Sequence, residues 1–278
     1  MRYAPLLALL IAGASLAAPC AAAGEAIVSP WTDFREAKVR LVAATPIRPG
    51  APLSAGLEIR LAEGFKTYWR SPGDSGVPPV FDFSRSSGLE AVTVRFPMPE
   101  TFDDGAGGRA WGYKSSVVLP IEAQVTALPA RLDLKLDFAV CGTMCIPLSG
   151  ELRLEAATAG PAEAASAAAL AFWRGRVPEP ASALSPPLAA TRLPGDPPRY
   201  RILLPFPGDA AELAVFAEAN GFLETLTIAP AGTGLAEITL RGEPMPGTGR
   251  LGPVRLTYGD RHRAFERVID LDGLAALP

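Results

Sequence analysis

Two cysteines four positions apart, in the run Val140-Cys141-Gly142-Thr143-Met144-Cys145-Ile146-Pro147, are the residues of this chain best suited to chemistry. A dithiol at short spacing exchanges with disulfides: a thiolate attacks, a mixed disulfide forms, and the second cysteine resolves it. That chemistry requires both sulfurs on a turn that a partner can reach, with at least one exposed. The competing reading is an inert hairpin clasp, a weak device because so short a loop contributes little closure entropy. A third reading is metal, since Cys141, Met144 and Cys145 offer soft sulfur ligands that suit Cu(I). No second ligand cluster accompanies them. A cysteine hydrolase would need a base nearby, and the single histidine, His262, falls in a different predicted domain.

The elements that must position the pair can be read around it. Leu132, Leu134, Leu136, Phe138 and Val140 alternate with Asp133, Lys135 and Asp137, the period of two that marks a half-buried strand. A strand continuing through both cysteines would separate them by roughly 13 Å, whereas a disulfide needs Cα atoms within about 7 Å. Either the chain turns between them or they do not pair. Gly142 permits a turn through its tolerance of positive φ, so a strand, a tight redox-capable turn and a return strand from Ile146 to Ala156 are expected.

The ends and the composition fix the setting. Met1-Arg2, an apolar core from Leu6 to Ala18 and the small residues Ala21-Ala22-Ala23-Gly24 follow the order of a secretory signal peptide, 1–23, cleaved near Ala23. That core is short of the about 20 residues of a membrane span. Cys20 is expected to leave with the leader, because Pro19 precedes it where a lipoprotein signal places Gly or Ala. The mature chain is therefore expected to be exported, with no membrane span; the periplasm is what the family resemblance given below implies. Its formal charge, −3 before Arg2 is lost, gives no basic footprint for nucleic acid or anionic lipid. Two remaining cysteines are too few for a disulfide-stapled scaffold, and a chain of this length builds a core without one.

From Trp31 to Ala156 the sequence reads as short strands with turns between them, the pattern of a sandwich. Lys38–Val42, Ser54–Leu61, Leu89–Phe96 and Val117–Val125 are strand candidates. Ser71–Pro79 and the acidic, glycine-rich Pro97–Gly108 read as loops, and Trp111-Gly112-Tyr113-Lys114 reads as a hairpin turn. An alanine-rich run from Pro161 to Gly175 carries helix boundary signals, and its Phe172 and Trp173 suit a buckle between domains. A proline-rich stretch from Pro178 to Pro198 reads as a linker. Strands return from Arg199, in a region with no cysteine and no clustered acid or base pair, read as a second sandwich with a binding or spacing role. The expectation is an all-β chain of two β-sandwich domains, 31–157 and 199–278, joined by a short helix and Pro-rich linker over 158–198. Phe65, Tyr68 and Trp69 read either as core or as a cap over the dithiol. An acid beside the pair, with Asp74, Asp103 and Asp104 as candidates, would raise the thiol pKa and slow casual attack.

Gly64-Phe65-Lys66-Thr67-Tyr68-Trp69-Arg70-Ser71-Pro72-Gly73-Asp74-Ser75-Gly76, then Pro78-Pro79, Gly112-Tyr113 and Val140-Cys141-x-x-x-Cys145-Ile146-Pro147 together resemble the periplasmic N-terminal domain of thiol:disulfide interchange protein DsbD. The resemblance is closest to the ScsB-like branch, the suppressor-of-copper-sensitivity type, and the later sandwich resembles that branch's second N-terminal domain. It implies an immunoglobulin-like fold whose cysteine pair, here Cys141 and Cys145, takes electrons from a membrane-embedded domain and reduces periplasmic thioredoxin-like proteins, the second cysteine attacking the partner. Phe65, Tyr68, Trp69, Asp74 and Tyr113, which all fall within these motifs, are the candidates for capping the pair or tuning its pKa. It implies a component of a protein-disulfide reductase that needs no cofactor. The spacing is shorter than in the best-known DsbD members. The family's membrane and thioredoxin-like domains have no counterpart in this sequence, so either a separate membrane protein is the electron donor, as expected, or the chain has lost redox shuttling. The alternative is a non-enzymatic binding module for Cu(I) in copper tolerance, with a structural disulfide.

Overall fold

The computed structural model describes residues 26–103, 107–155, 163–184 and 186–274. The expected leader, Cys20 and Asp104 lie outside them. The chain runs through β1 (Ala26–Val28), β2 (Thr32–Asp33), β3 (Ala37–Ala44), β4 (Pro52–Leu61), β5 (Lys66–Gly73) and β6 (Val80–Asp82). It continues with β7 (Leu89–Val94), β8 (Glu100–Asp103), β9 (Arg109–Lys114), β10 (Ser116–Val125), β11 (Arg131–Cys141) and β12 (Cys145–Glu155). After helix α1 (Ala164–Arg174) come β13 (Glu179–Pro180), β14 (Ala189–Leu193), β15 (Arg199–Pro205) and β16 (Ala214–Glu218). The last strands are β17 (Gly221–Pro230), β18 (Leu235–Pro244), β19 (Pro253–Gly259) and β20 (Ala264–Asp270).

Four sheets form two sandwiches. The first packs the sheet β1-β3-β4-β10-β7, with β2 on β3, against β12-β11-β5-β9-β8, with β6 on β11. Their inner faces meet in one core, where Leu41, Leu57, Ile59 and Leu119 oppose Trp69, Leu132, Leu134 and Leu136. The second packs β13-β20-β19-β16 against β14-β15-β18-β17 around Ile202, Leu204, Phe206, Ile238, Leu256 and Tyr258. The fold is all-β and of the expected immunoglobulin-like, two-sandwich class, because period-two apolar faces can be buried only by stacking one sheet on another.

One of the three charged residues in the β11 alternation is not exposed. Lys135 and Asp137 are exposed, but Asp133 is buried. Its carboxylate accepts from Arg153 Nη2 at 2.9 Å and lies 3.0 Å from Arg85 Nη2, so the buried charge is compensated by two guanidinium groups.

Several local expectations change. Ser71–Pro79 is not wholly irregular, since β5 extends to Gly73. The acidic stretch from Pro97 contains β8, and Trp111–Lys114 lies inside β9 rather than at a turn. Within the expected linker, β13 pairs with β20 and β14 with β15, so these residues supply edge strands to the second sandwich. Long-range pairing overrides the local Pro and Gly signal in each case.

Helix α1 does not bridge the domains with its two aromatic rings. Its buried Leu170 packs on Val42 and Val118, and Trp173 meets Tyr113 edge to face at 6.1 Å, while Phe172 stays exposed. Arg40 ties the helix to the sheet: its Nε donates to Glu58 Oε2 at 2.7 Å, and its Nη2 donates to Glu163 Oε2 at 2.9 Å and Ser166 Oγ at 2.7 Å. Arg40 and Glu58 are both buried. Removing one partner of a buried pair strands the other charge. Arg40→Met is therefore expected to lower the free energy of unfolding by about 3 kcal/mol, with the Arg40→Met/Glu58→Met double variant recovering most of it. Denaturant titration checks this, and equal losses in the single and double variants would contradict it.

Candidate functional site

The strand pairing delivers both cysteines to the turn end of one hairpin. β11 and β12 run antiparallel in unbroken register from Arg131↔Glu155 to Cys141↔Cys145, which brings the cysteine Cα atoms to 4.1 Å, and the sulfurs are bonded. Gly142 donates its N–H to Met144 O at 3.1 Å inside the turn. The turn does not use a left-handed glycine: Gly142 is absent from the positive-φ residues, and its hydrogen faces the Phe65 ring, 3.3 Å from where a Cβ would lie. The constraint at this position is a slight steric one from a side chain, not the conformational one that a glycine in a tight turn suggests.

The two sulfurs sit in different surroundings. Cys141 is 3% exposed, packed with Tyr68, Phe102, Ala110 and Ala139, whereas Cys145 is exposed beside Met144, which is 72% exposed at the apex. The Tyr68 hydroxyl donates to Cys141 Sγ at 2.7 Å and lies 3.2 Å from Cys145 Sγ. Tyr68 reaches them because β5 lies beside β11, pairing Thr67 with Val140 and Lys66 with Cys141, while the Thr67 hydroxyl donates to Ala139 O at 2.9 Å. The phenol ring is held from above by Gly76, whose φ of +111° leaves the backbone against it; a Cβ there would stand 2.3 Å from Tyr68 Cε1. A glycine is thus required on both conformational and steric grounds.

The other residues singled out from sequence are distributed differently. Phe65 lies over the turn at Gly142. Trp69, adjacent to Tyr68 and so facing the opposite side of the strand, is fully buried with its ring 6.1 Å from Trp111 and 5.7 Å from Phe216. It is core, not cap. Tyr113 is also core: its hydroxyl donates to Pro97 O at 2.7 Å, and burial pushes its phenol well above the ordinary value. The Asp74 carboxylate accepts from the Arg109 N–H at 2.8 Å, pinning the loop to β9, and Lys66 Nζ donates to the Asp103 carbonyl at 2.8 Å. Phe102 is a site residue that the sequence does not single out. It stands 6.5 Å from the Tyr68 ring, under Lys66 Nζ at 4.4 Å, and closes the inner side of the Cys141 pocket. Its only local signal is a lone aromatic between Glu100 and Asp103 in a stretch that otherwise reads as loop.

Among the described residues no group of three or more His, Cys, Asp and Glu side chains is placed to hold a metal, and no helix is long and apolar enough to cross a membrane. Cys141, Met144 and Cys145 remain the only sulfur set at one place among those residues, with both thiols engaged in the disulfide.

Comparison with known proteins relates this site to a family. Residues 38–157 match the model of the N-terminal region of thiol:disulfide interchange protein DsbD. The fold matches the crystal structure of the N-terminal periplasmic domain of ScsB from Proteus mirabilis with a TM-score of 0.67 and 21% identity, over 87% of this chain and 97% of that one. A conserved domain protein from Bacillus anthracis aligns over 91% of this chain and 94% of its own with a TM-score of only 0.20 and 6% identity, too low to inform the fold. No curated protein matches by sequence. The matched segment contains Tyr68 and the whole Cys141–Cys145 hairpin, so the part of this chain that carries the site is similar to the N-terminal region of thiol:disulfide interchange protein DsbD.

Proposed function

We propose that this chain is a periplasmic thiol:disulfide interchange module, which accepts two electrons at Cys141–Cys145 from a membrane-embedded dithiol protein and passes them to thioredoxin-like proteins. The observation that carries the reading is the asymmetry of the pair: Cys145 is open to a partner, while Cys141 is covered and hydrogen-bonded by Tyr68.

Loading begins when a donor thiolate attacks Cys145 Sγ. The Cys141–Cys145 bond breaks, Cys141 leaves as a thiolate, and an intermolecular disulfide forms at Cys145. Cys141 is the better placed leaving group, because a hydrogen bond to the charged form stabilises it and Tyr68 already donates to that sulfur. The donor's second thiolate then attacks the donor sulfur of the mixed disulfide and releases Cys145, leaving the donor oxidised. Two electrons have entered, and solvent supplies the protons that the thiols take up. Delivery runs the same steps in reverse: the Cys145 thiolate attacks an acceptor disulfide, and Cys141 resolves the mixed disulfide. Met144 and Phe65, both at the turn, offer apolar contact to whichever partner docks.

The deciding measurement is the reduction potential of the pair, with thiols counted before and after equilibration in glutathione buffers. A potential between those of thioredoxin and protein disulfide isomerase, about −270 to −180 mV, is expected of a shuttle. A value far below about −300 mV marks a structural bridge and overturns the reading.

A further inference from the structure

The family match covers the redox sandwich and leaves the second sandwich without a task. The strand that carries Tyr68 touches the second sandwich through its next two residues, Trp69 and Arg70. We infer that the second sandwich positions the redox site: Arg70, gripped by Glu218 and Glu266 across the interface, fixes the part of β5 that holds the Tyr68 hydroxyl on the two sulfurs. This inference rests on the proposed thiol chemistry of Cys141 and Cys145.

The strand itself is weakly held at that point. β5 pairs with β9 at Lys66, Thr67 and Tyr68, then shifts register, and pairing resumes only at Gly73↔Ala110. Its pairing with β11 is confined to Lys66 and Thr67. The residues after Tyr68 therefore take their position from side-chain contacts. Trp69 supplies one set, wedged between Trp111 and Phe216, and Phe216 comes from β16 of the second sandwich yet is buried within the first one's core.

Arg70 supplies the other set. Its Nη2 donates to Glu218 Oε2 at 2.7 Å, to Thr257 Oγ1 at 3.1 Å and to Glu266 Oε2, and its Nε lies 3.2 Å from both Glu218 oxygens. The guanidinium also stacks over the Trp69 ring, 4.3 Å from its centroid. Thr257 is fully buried and donates in turn to Glu266 Oε2 at 3.1 Å. A lone exposed ion pair contributes little. Here two carboxylates from β16 and β20 converge on one guanidinium, which is four-fifths buried. Charge-assisted, multidentate bonding of that kind fixes geometry as well as energy. Without Arg70 the two acids face each other with only the Arg255 guanidinium, 3.7 Å from Glu266, beside them, and the segment beside Tyr68 loses its anchor.

The test compares thiolate formation, read by ultraviolet absorbance against pH, in the reduced mature chain and its variants, alongside the reduction potential and the melting temperature. Tyr68→Phe removes a hydrogen bond to the charged sulfur and is expected to lower the thiolate-to-thiol ratio at neutral pH on the order of tenfold. Arg70→Ala is expected to lower it in the same direction by roughly threefold and to add nothing further in the Tyr68→Phe background, since coupled residues are non-additive. Arg70→Lys should recover part of the loss. A thiolate titration of Arg70→Ala that superimposes on the parent, whatever happens to the melting temperature, overturns the inference, and so does full additivity with Tyr68→Phe. If Arg70→Ala does not fold, Glu218→Gln/Glu266→Gln is read by the same criteria. The titration needs no partner protein. A failure to exchange with any thioredoxin-like disulfide, with the Arg70 effect intact, therefore counts against the shuttle reading alone.

Discussion

Cys141→Ser is expected to accumulate a mixed disulfide with an oxidised thioredoxin-like protein, whereas Cys145→Ser is expected to form none. The difference comes from access. In Cys141→Ser the remaining sulfur is the exposed one at the end of the β11–β12 hairpin, free to attack and left without its resolving partner. In Cys145→Ser the remaining sulfur is packed among Tyr68, Phe102, Ala110 and Ala139 and 3% exposed, so a partner disulfide cannot approach along the S–S axis. Both variants should lose net transfer, because one cysteine cannot complete a two-electron cycle. Non-reducing electrophoresis, with release of the complex by dithiothreitol, distinguishes them. Equal trapping by both variants would show that the buried sulfur is reached as readily as the open one, and the assigned roles would then be wrong.

The place of the pair at a hairpin end is legible in the sequence; the asymmetry between its sulfurs is not. The alternation Leu132, Leu134, Leu136, Phe138, Val140 is a local signal, and it puts the cysteines at the end of a strand because a sheet face repeats every two residues. The fold class follows from the same pattern repeated along the chain. What covers Cys141 is hidden, because Tyr68 lies 73 residues away and meets it only through the β5–β11 pairing. Family resemblance draws attention to Phe65, Tyr68, Trp69, Asp74 and Tyr113 as a group, but it cannot separate them. The strand parity does so: Tyr68 and Trp69 are neighbours on opposite faces, one on the sulfurs and the other in the core. Asp133 shows the reverse failure, a charged residue in an outward-reading position that is buried because two arginines close over it. Phe102 escapes notice because its strand is short and flanked by acids and glycines, so only pairing with β9 reveals it.

The second sandwich presents the same contrast between local and long-range information. Its lack of cysteines and of clustered acids and bases reads as a binding or spacing role outside the thiol chemistry. Glu218 and Glu266 acquire meaning only when β16 and β20 bring them to one guanidinium from the other sandwich. Retaining the redox hairpin alone would therefore not retain the site, since Tyr68 comes from β5, whose next residues, Trp69 and Arg70, contact the second sandwich.

Gly112→Ala is expected to be the most damaging single-methyl change near the site. Gly112 pairs with Tyr68 on one side and Glu100 on the other, at the centre of the β5-β9-β8 ladder. A Cβ there would stand 1.9 Å from Thr67 O, 2.9 Å from Thr67 C and 3.0 Å from Tyr68 Cα, all backbone atoms that no rotamer change can move aside. Its φ is not in the left-handed region, so the requirement is for space and not for conformation. Relieving the clash means separating β5 from β9, which drags Thr67 from Ala139 and Tyr68 from the sulfurs. The expected loss of stability exceeds about 4 kcal/mol, the range reserved for overpacking with broken pairing. Gly142→Ala is the matched control, because its Cβ would meet only the ring atoms of Phe65 at 3.3 to 3.5 Å, a side chain that can shift. It should cost no more than about 1 kcal/mol. Urea unfolding of the two variants decides the matter. If Gly112→Ala unfolds at the same midpoint as Gly142→Ala, β5 and β9 do not approach as closely as the contact at Thr67 requires, and the hold of β5 on Tyr68 fails with it.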